Sequence, residues 1–123
     1  MADGLSAANA NLALNAAVGT NAGFVQLHTG APGAAGTSNV SSVTTRPAVT
    51  WAAASGGSVA ASNQPAWTSW AGTNGEVDTD ISFWSANSAG TFGLSMQLNT
   101  PVTMDTGDSL TLTSVTVSVP VAS

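Results

Sequence analysis

The sequence has no cysteine, no tyrosine and no lysine, and charged residues occupy only 6% of its 123 positions. The absence of cysteine excludes disulfides and thiolate metal sites. Arg46 is the single permanently cationic side chain, and the formal net charge is −5. A nucleic-acid binder needs several Lys or Arg side chains on one face to neutralise phosphates. We therefore expect no nucleic-acid partner, and binding to anionic membrane surfaces is excluded for the same reason.

Long hydrophobic runs are also missing from the sequence. No segment approaches the roughly 18 consecutive apolar residues of a membrane-spanning helix. The start of the chain, Met1 to Gly4, lacks the basic segment and the apolar stretch of a secretory signal peptide. We therefore expect no membrane partner and no signal peptide, and we expect assembly in the cytoplasm in which the chain is made.

The scarcity of charge has two explanations. Typical soluble domains carry about 25% charged residues. A GC-rich genome favours alanine and glycine codons, but arginine codons are also GC-rich, so codon bias does not explain a single arginine. Alternatively, much of the surface contacts protein, since interface cores are depleted in lysine, glutamate and aspartate. We favour the second explanation and expect a homo-oligomer of closed symmetry, a trimer or another ring.

Composition divides the chain into two regions. Residues 5–18 are rich in alanine, Asp3 or Ser6 can cap a helix there, and Gly19 can end it. The length of 123 residues and the hydrophobic content of 43% suit one domain with its own core. We interpret residues 1–22 as an N-terminal arm with a short helix and residues 23–123 as a β-sandwich domain.

From Phe24 onward the pattern changes to short strands separated by turn residues. The last strand is the clearest, because Val115, Val117, Val119 and Val121 alternate with polar residues or proline. The predicted strands are residues 24–28, 48–52, 58–61, 66–70, 80–85, 91–98, 101–104, 109–112 and 114–121. This spacing predicts an all-β fold, an antiparallel β-sandwich or jelly roll of about eight strands. The long loop at residues 30–45 is a predicted contact element.

Catalytic motifs are scarce. A P-loop needs a lysine, and neither Gly-x-Ser-x-Gly nor Gly-x-Gly-x-x-Gly occurs. One histidine without cysteine cannot build an ordinary zinc site. A Ser/His/Asp triad is formally possible, but no spacing singles out a serine. We interpret His28 as a strand-end residue whose ring bonds to loop backbone, and we expect neither an enzyme nor a bound cofactor.

Three carboxylates alternate along one predicted strand. Glu76, Asp78 and Asp80 would point to the same side of an extended segment. Together with backbone carbonyls they form a candidate Ca²⁺ site. The alternative is a solvated strand edge whose charges resist edge-to-edge pairing.

The four tryptophans raise the question of sugar binding. Trp67 and Trp70 flank a segment with weak alternation, so at least one of them is a candidate exposed aromatic that stacks on sugar rings. The alternative is packing in the core or at a subunit interface, which we favour for Trp51 and Trp84 because they lie in the strongest strand patterns.

Several segments occur in an order that resembles a known group of virion proteins. A strand leads into His-Thr-Gly-x-Pro-Gly at 28–33, and Arg-Pro-Ala-Val-Thr-Trp at 46–51 precedes Ala-Ala-Ser-Gly-Gly-Ser at 53–58. Ile-Ser-Phe-Trp at 81–84, Gly-Thr-Phe at 90–92, Pro-Val at 101–102 and Gly-Asp-Ser-Leu at 107–110 then lead to the valine-rich last strand. Residues 24–121 thus resemble small virion structural proteins of tailed bacteriophages that infect actinobacteria. Such proteins are commonly labelled tail fibre or minor tail proteins, and comparable β-rich proteins serve as head decoration proteins.

The resemblance implies a virion structural protein present in many copies. Our main interpretation is a head decoration or minor capsid protein, which stabilises the capsid because it binds only the assembled state. The alternative is a tail fibre or minor tail protein that contacts host cell-wall glycans, followed by a carbohydrate-binding module or an enzyme. Expected partners are the major capsid protein or other virion proteins. The expected assembly contacts are Leu5, Leu12, Leu14, Val18, His28, Pro32 and Arg46.

Overall fold

The computed structural model describes residues 3–122, which begin with a single helix, α1, at Ala7–Asn21. The helix starts after Ser6, whose hydroxyl accepts a hydrogen bond from the Asn9 amide at 3.2 Å. Its buried residues Ala10, Leu14 and Val18 recur every four positions, so they form one stripe along the helix. No helix among residues 3–122 has the length and apolar character needed to cross a membrane.

Helix α1 is held to the rest of the chain by its own asparagines. The side-chain oxygen of Asn11 accepts a hydrogen bond from the Gly57 amide, and that of Asn15 accepts one from the Ala54 amide. Asparagine is a weak helix former, so these residues cost helix stability that the tertiary hydrogen bonds offset. The predicted arm is therefore a helix docked on its own chain.

The remaining described residues include seven strands in antiparallel pairs. They are β1 Phe24–His28, β2 Ser58–Ala60, β3 Ala66–Trp67, β4 Glu76–Trp84, β5 Phe92–Met104, β6 Leu110–Thr111 and β7 Thr116–Ser118. One sheet has the order β1-β4-β5, and two-stranded sheets pair β2 with β7 and β3 with β6. The predicted all-β class with a short helix near the N-terminus is confirmed. The sandwich or jelly-roll arrangement stays a prediction.

One face of the three-stranded sheet supplies the centre of the core. Val25 lies opposite Phe83, and Leu27 lies opposite Ile81 in the β1–β4 pairing. All four side chains are buried. They share one hydrophobic cluster with Leu14 and Val18 of α1, with Val59 and Trp67 of the smaller sheets, and with Met104 and Val115. Burying such side chains contributes about 1.5–3 kcal/mol each.

The segment that follows β1 pairs with the end of that strand and reaches the other face of the sheet at Phe92. The Thr29 amide donates to the Asn39 carbonyl at 2.8 Å, and the Ser41 amide donates to the Leu27 carbonyl at 3.1 Å. Gly36 lies against the ring of Phe92, and its positive φ of 73° suits a residue without a side chain. The long loop predicted as a contact element therefore packs largely on the chain's own sheet.

Candidate functional site

His28 is fully buried at the end of β1 and takes part in a chain of hydrogen bonds. Its Nδ1 lies 2.8 Å from the Ser38 carbonyl oxygen, and its Nε2 lies 2.6 Å from the Ser82 hydroxyl. The indole N–H of Trp84 donates to the same hydroxyl at 2.7 Å. An indole only donates and a carbonyl only accepts, so Nδ1 carries the proton and the Ser82 hydroxyl donates to Nε2. Every polar atom of this network is thereby satisfied.

The network assigns His28 a structural role. Burial lowers the pKa of His28, although the hydrogen bond to Ser38 and the nearby charge of Asp80 act in the opposite direction. The neutral ring is therefore favoured. A serine hydroxyl 2.6 Å from a histidine resembles a nucleophile with its base, but Ser82 has 0% of its surface exposed. His28 is equally buried, so its prediction as an assembly contact is wrong, because loop 29–46 covers it.

Arg46 is held within the chain by the turn between β4 and β5. Its guanidinium donates to the Ala86 and Ala89 carbonyls at 3.0 and 2.7 Å and to the Gln26 side chain at 3.2 Å. It also lies 4.2 Å from the centre of the Trp84 ring, within reach of a cation–π interaction. Ala89 has a positive φ of 53°, an uncommon conformation for alanine, and the Arg46 contact secures this turn. The single cation is thus committed to an internal contact.

The three alternating carboxylates do not come together. A register irregularity between Asp78 and Asp80 interrupts the alternation of β4. Asp80 accepts a hydrogen bond from the Thr79 hydroxyl at 2.6 Å and lies opposite His28 in β1. Within residues 3–122 no group of three or more His, Cys, Asp or Glu side chains is placed to hold a metal ion. The candidate Ca²⁺ site is therefore not assembled as predicted.

Glu76 and Asp78 remain neighbours and differ sharply in environment. Glu76 accepts hydrogen bonds from the Ser41 hydroxyl at 2.6 Å and the Ser42 amide at 3.0 Å. Burial opposes its ionisation, but these donors and Asp78 outweigh burial and hold the pKa of Glu76 below its usual range. Asp78 is 0% exposed, and neither of its oxygens has a hydrogen-bond partner among the described residues.

A proton on Asp78 resolves this arrangement. Two carboxylates cannot hydrogen-bond to each other, because both only accept. Once Asp78 is protonated, it can donate to Glu76. Burial, this hydrogen bond and the negative charge of Glu76, in that order, raise the pKa of Asp78 to about 7. At pH values between the pKa values of the two groups, the pair therefore holds one proton, on Asp78, and one negative charge, on Glu76.

Both candidate exposed tryptophans are buried. Trp67 is 4% exposed and Trp70 is 2% exposed. Their indole N–H groups donate to the Thr45 and Thr73 carbonyls at 2.9 and 3.1 Å. Strand β3 ends at Trp67, and Ser69 adopts a positive φ of 52° that turns the chain, so the rings do not follow strand alternation. Neither Trp67 nor Trp70 is therefore the candidate exposed aromatic, and both pack in the core, as the alternative has it.

The remaining predicted assembly contacts divide into two groups. Leu14, Val18 and Pro32 are buried within the chain, so they are not surface contacts. Leu5 and Leu12 are exposed, Leu12 by 68%, and their role in assembly stays a prediction.

Sequence reasoning missed the outer side of β5. This strand forms one edge of the three-stranded sheet, and no backbone hydrogen bond joins residues 92–103 to any described segment other than β4. The signal was present in the alternation of Leu94, Met96 and Leu98 with polar residues and in the absence of charge from residues 92–104. Strand order cannot be derived from such a pattern, so the open edge was not predicted.

Comparison with known proteins adds a family to these observations. Residues 1–120 match the model of a family described as Podophage GP4 fiber I protein gp80. A comparison with curated proteins finds no significant match. The match covers nearly the whole chain and supports a phage virion structural protein. The chain belongs to the Podophage GP4 fiber I protein gp80 family.

Proposed function

We propose that this protein is a structural component of a phage tail fibre and acts through contacts with other protein chains. The observation that carries the proposal is the family match over residues 1–120, because its description names a fibre protein. The match favours the tail fibre alternative over the head decoration interpretation.

The described surface fits a role in assembly. Its exposed large apolar side chains are Leu5, Leu12, Val40 and Val77, and the β5 edge of the three-stranded sheet is unpaired within residues 3–122. Arg46 is engaged internally, so charged recognition of a partner rests on a few carboxylates. The exposed apolar side chains and the unpaired edge favour contacts with other chains through apolar side chains and backbone groups.

A structural role in place of catalysis is part of the proposal. The support for this is that the Ser82–His28 pair is buried and that the Ser82 hydroxyl is hydrogen-bonded to both His28 and Trp84. Stacking of Trp67 or Trp70 on host glycans is not part of it, since both rings are buried.

Purified particles provide the test. Immunogold labelling with an antibody against the chain should mark the tail region. Quantitative mass spectrometry should give far fewer copies than of the major capsid protein. Labelling of the head with hundreds of copies per particle would instead support the decoration interpretation. Absence of the chain from purified particles would refute a virion role altogether.

A further inference from the structure

The three-stranded sheet is closed at one edge and open at the other. At the β1 edge, the Val25 amide donates to the Pro47 carbonyl at 3.1 Å, and the Val49 amide donates to the Gly23 carbonyl at 2.8 Å. The outer side of β5 has no such partner within residues 3–122. An unpaired row of amides and carbonyls is a template for another strand.

Only one half of β5 carries the features that normally prevent strand addition. Pro101 lacks an amide hydrogen, and the register between β4 and β5 is irregular next to it, since Asp78 lies opposite Val102 but Asp80 lies opposite Gln97. The half from residue 92 to residue 98 contains no charge and no proline. The unprotected half is therefore the place where a strand can add.

The side chains of this half suit an added strand on both faces. Leu94, Met96 and Leu98 are half-buried, while Ser95 and Gln97 are exposed. Beside them lies an open groove of about 250 Å³, lined in part by Met96, Leu98, Ile81, Leu112 and Val115. An added strand that alternates apolar and polar residues in the same register can cover this groove and leave its polar side chains in water.

We propose that residues 94–98 of β5 pair antiparallel with the same residues of a second copy of this chain. A twofold axis at Met96 places Leu94 opposite Leu98 and Ser95 opposite Gln97, so apolar meets apolar and polar meets polar. Because residues 92–104 carry no charge, two copies of an acidic chain meet without local repulsion. The contact makes a twofold dimer the assembly unit. It deepens the proposed function and rests on it for its place in the virion.

The test uses the full-length chain and a pair of charged variants. Ser95→Lys combined with Gln97→Lys places like charges directly opposite each other across the axis. Sedimentation equilibrium at increasing concentration should show the wild type at a multiple of the chain mass and the lysine variant at the 12.0 kDa of one chain. Mixing it with Ser95→Glu combined with Gln97→Glu should restore association, because opposite charges then face each other.

A matched variant separates this contact from others. Ala13→Lys combined with Ala17→Lys adds the same charge on the exposed side of α1 and should leave association unchanged. Circular dichroism should show that all variants are folded. A wild type that is monomeric at every concentration would overturn the pairing. So would an α1 variant that is monomeric together with a β5 variant that still associates. Self-association of a chain that is absent from virions would refute the proposed function alone.

Discussion

Replacing Asp78 with asparagine should stabilise the protein at neutral and alkaline pH. The pKa of Asp78 rises from 3.8 to about 7 on folding, chiefly because the carboxyl is buried. A difference of about three pKa units, at about 1.4 kcal/mol per unit, corresponds to roughly 4 kcal/mol. This is a large share of the roughly 5–15 kcal/mol by which domains are stable.

The direction in which stability changes with pH follows from the higher affinity of the folded state for the Asp78 proton. Below about pH 4, Asp78 is protonated in both the folded and the unfolded chain and adds no pH dependence. Between about pH 4 and 7 the unfolded chain loses this proton first, so stability falls by about 1.4 kcal/mol per pH unit. Above about pH 7, Asp78 is ionised in both states and the stability falls no further. Asparagine has no proton to lose, and its amide can donate to Glu76 as the protonated carboxyl does.

Two neighbouring groups also titrate and act differently. The lowered pKa of His28 makes stability fall as the pH drops below the ordinary histidine value of 6.5. Glu76, whose pKa is also lowered, loses its contribution only as the pH falls below its ordinary value of 4.5. His28 is present in wild type and variant, so its contribution cancels in the difference between the two chains. Because Glu76 and Asp78 influence each other, the difference reports on Asp78 alone only above the ordinary pKa value of Glu76.

Urea denaturation across the pH range measures this difference. The unfolding free energy of the Asp78→Asn variant minus that of the wild type should rise from about pH 4 to about pH 7 and then level off near 4 kcal/mol. Asp3→Asn, which removes an exposed carboxyl, is the matched control variant. Parallel stability curves for wild type and Asp78→Asn would refute the assignment of the proton to Asp78.

Four further substitutions test the contacts described above, each by urea denaturation. His28→Ala should cost about 1–3 kcal/mol, because it leaves buried polar partners unsatisfied, and an unchanged midpoint would contradict the network. Arg46→Lys should cost about 1–2 kcal/mol, since an ammonium cannot reproduce the planar guanidinium contacts to two carbonyls and a ring; equal stability would show that only the charge matters. Leu14→Ala should cost about 2–5 kcal/mol, whereas Leu12→Ala should cost under about 0.5 kcal/mol, and similar losses at both would disprove the docking face of α1.

The best-predicted elements are those whose local signals agree. Strand β1 has its predicted bounds, Phe24–His28, because an extended apolar segment lies between Gly23 and the turn after Thr29. Helix α1 was predicted at residues 5–18 and occurs at Ala7–Asn21, since the Ser6 cap determines its start but Gly19 does not end it. Isolated glycine is tolerated in a helix at a cost of about 1 kcal/mol.

Other features depend on contacts that no local pattern contains. The strand predicted at residues 48–52 forms only isolated bridges, from Ala48 to Phe24 and from Trp51 to Ala61. The two strands predicted at 91–98 and 101–104 are one strand, β5, because an edge strand accommodates Pro101 without losing a ladder hydrogen bond.

In the candidate site, too, some features follow from local sequence signals and others depend on tertiary contacts. The role of His28 was predicted because a strand end before a turn places a ring beside loop backbone, as its contact with Ser38 confirms. The burial of Trp67 and Trp70 and the separation of Asp80 from Asp78 depend on a turn at Ser69 and on an irregular register in β4. Both follow from tertiary pairing, which composition and alternation do not specify.

The internal position of Arg46 has a consequence for how salt acts on assembly. With its one guanidinium placed over Trp84 and against two carbonyls, the chain meets its surroundings as an anion of formal charge −5. In the proposed β5 pairing, copies that approach each other repel at long range, while the contacts between residues 94–98 are uncharged and act at short range. Added salt shortens the range of the repulsion to about 10 Å at 0.1 M and leaves the contacts intact. Association should therefore strengthen with ionic strength, the reverse of a complex held by ion pairs.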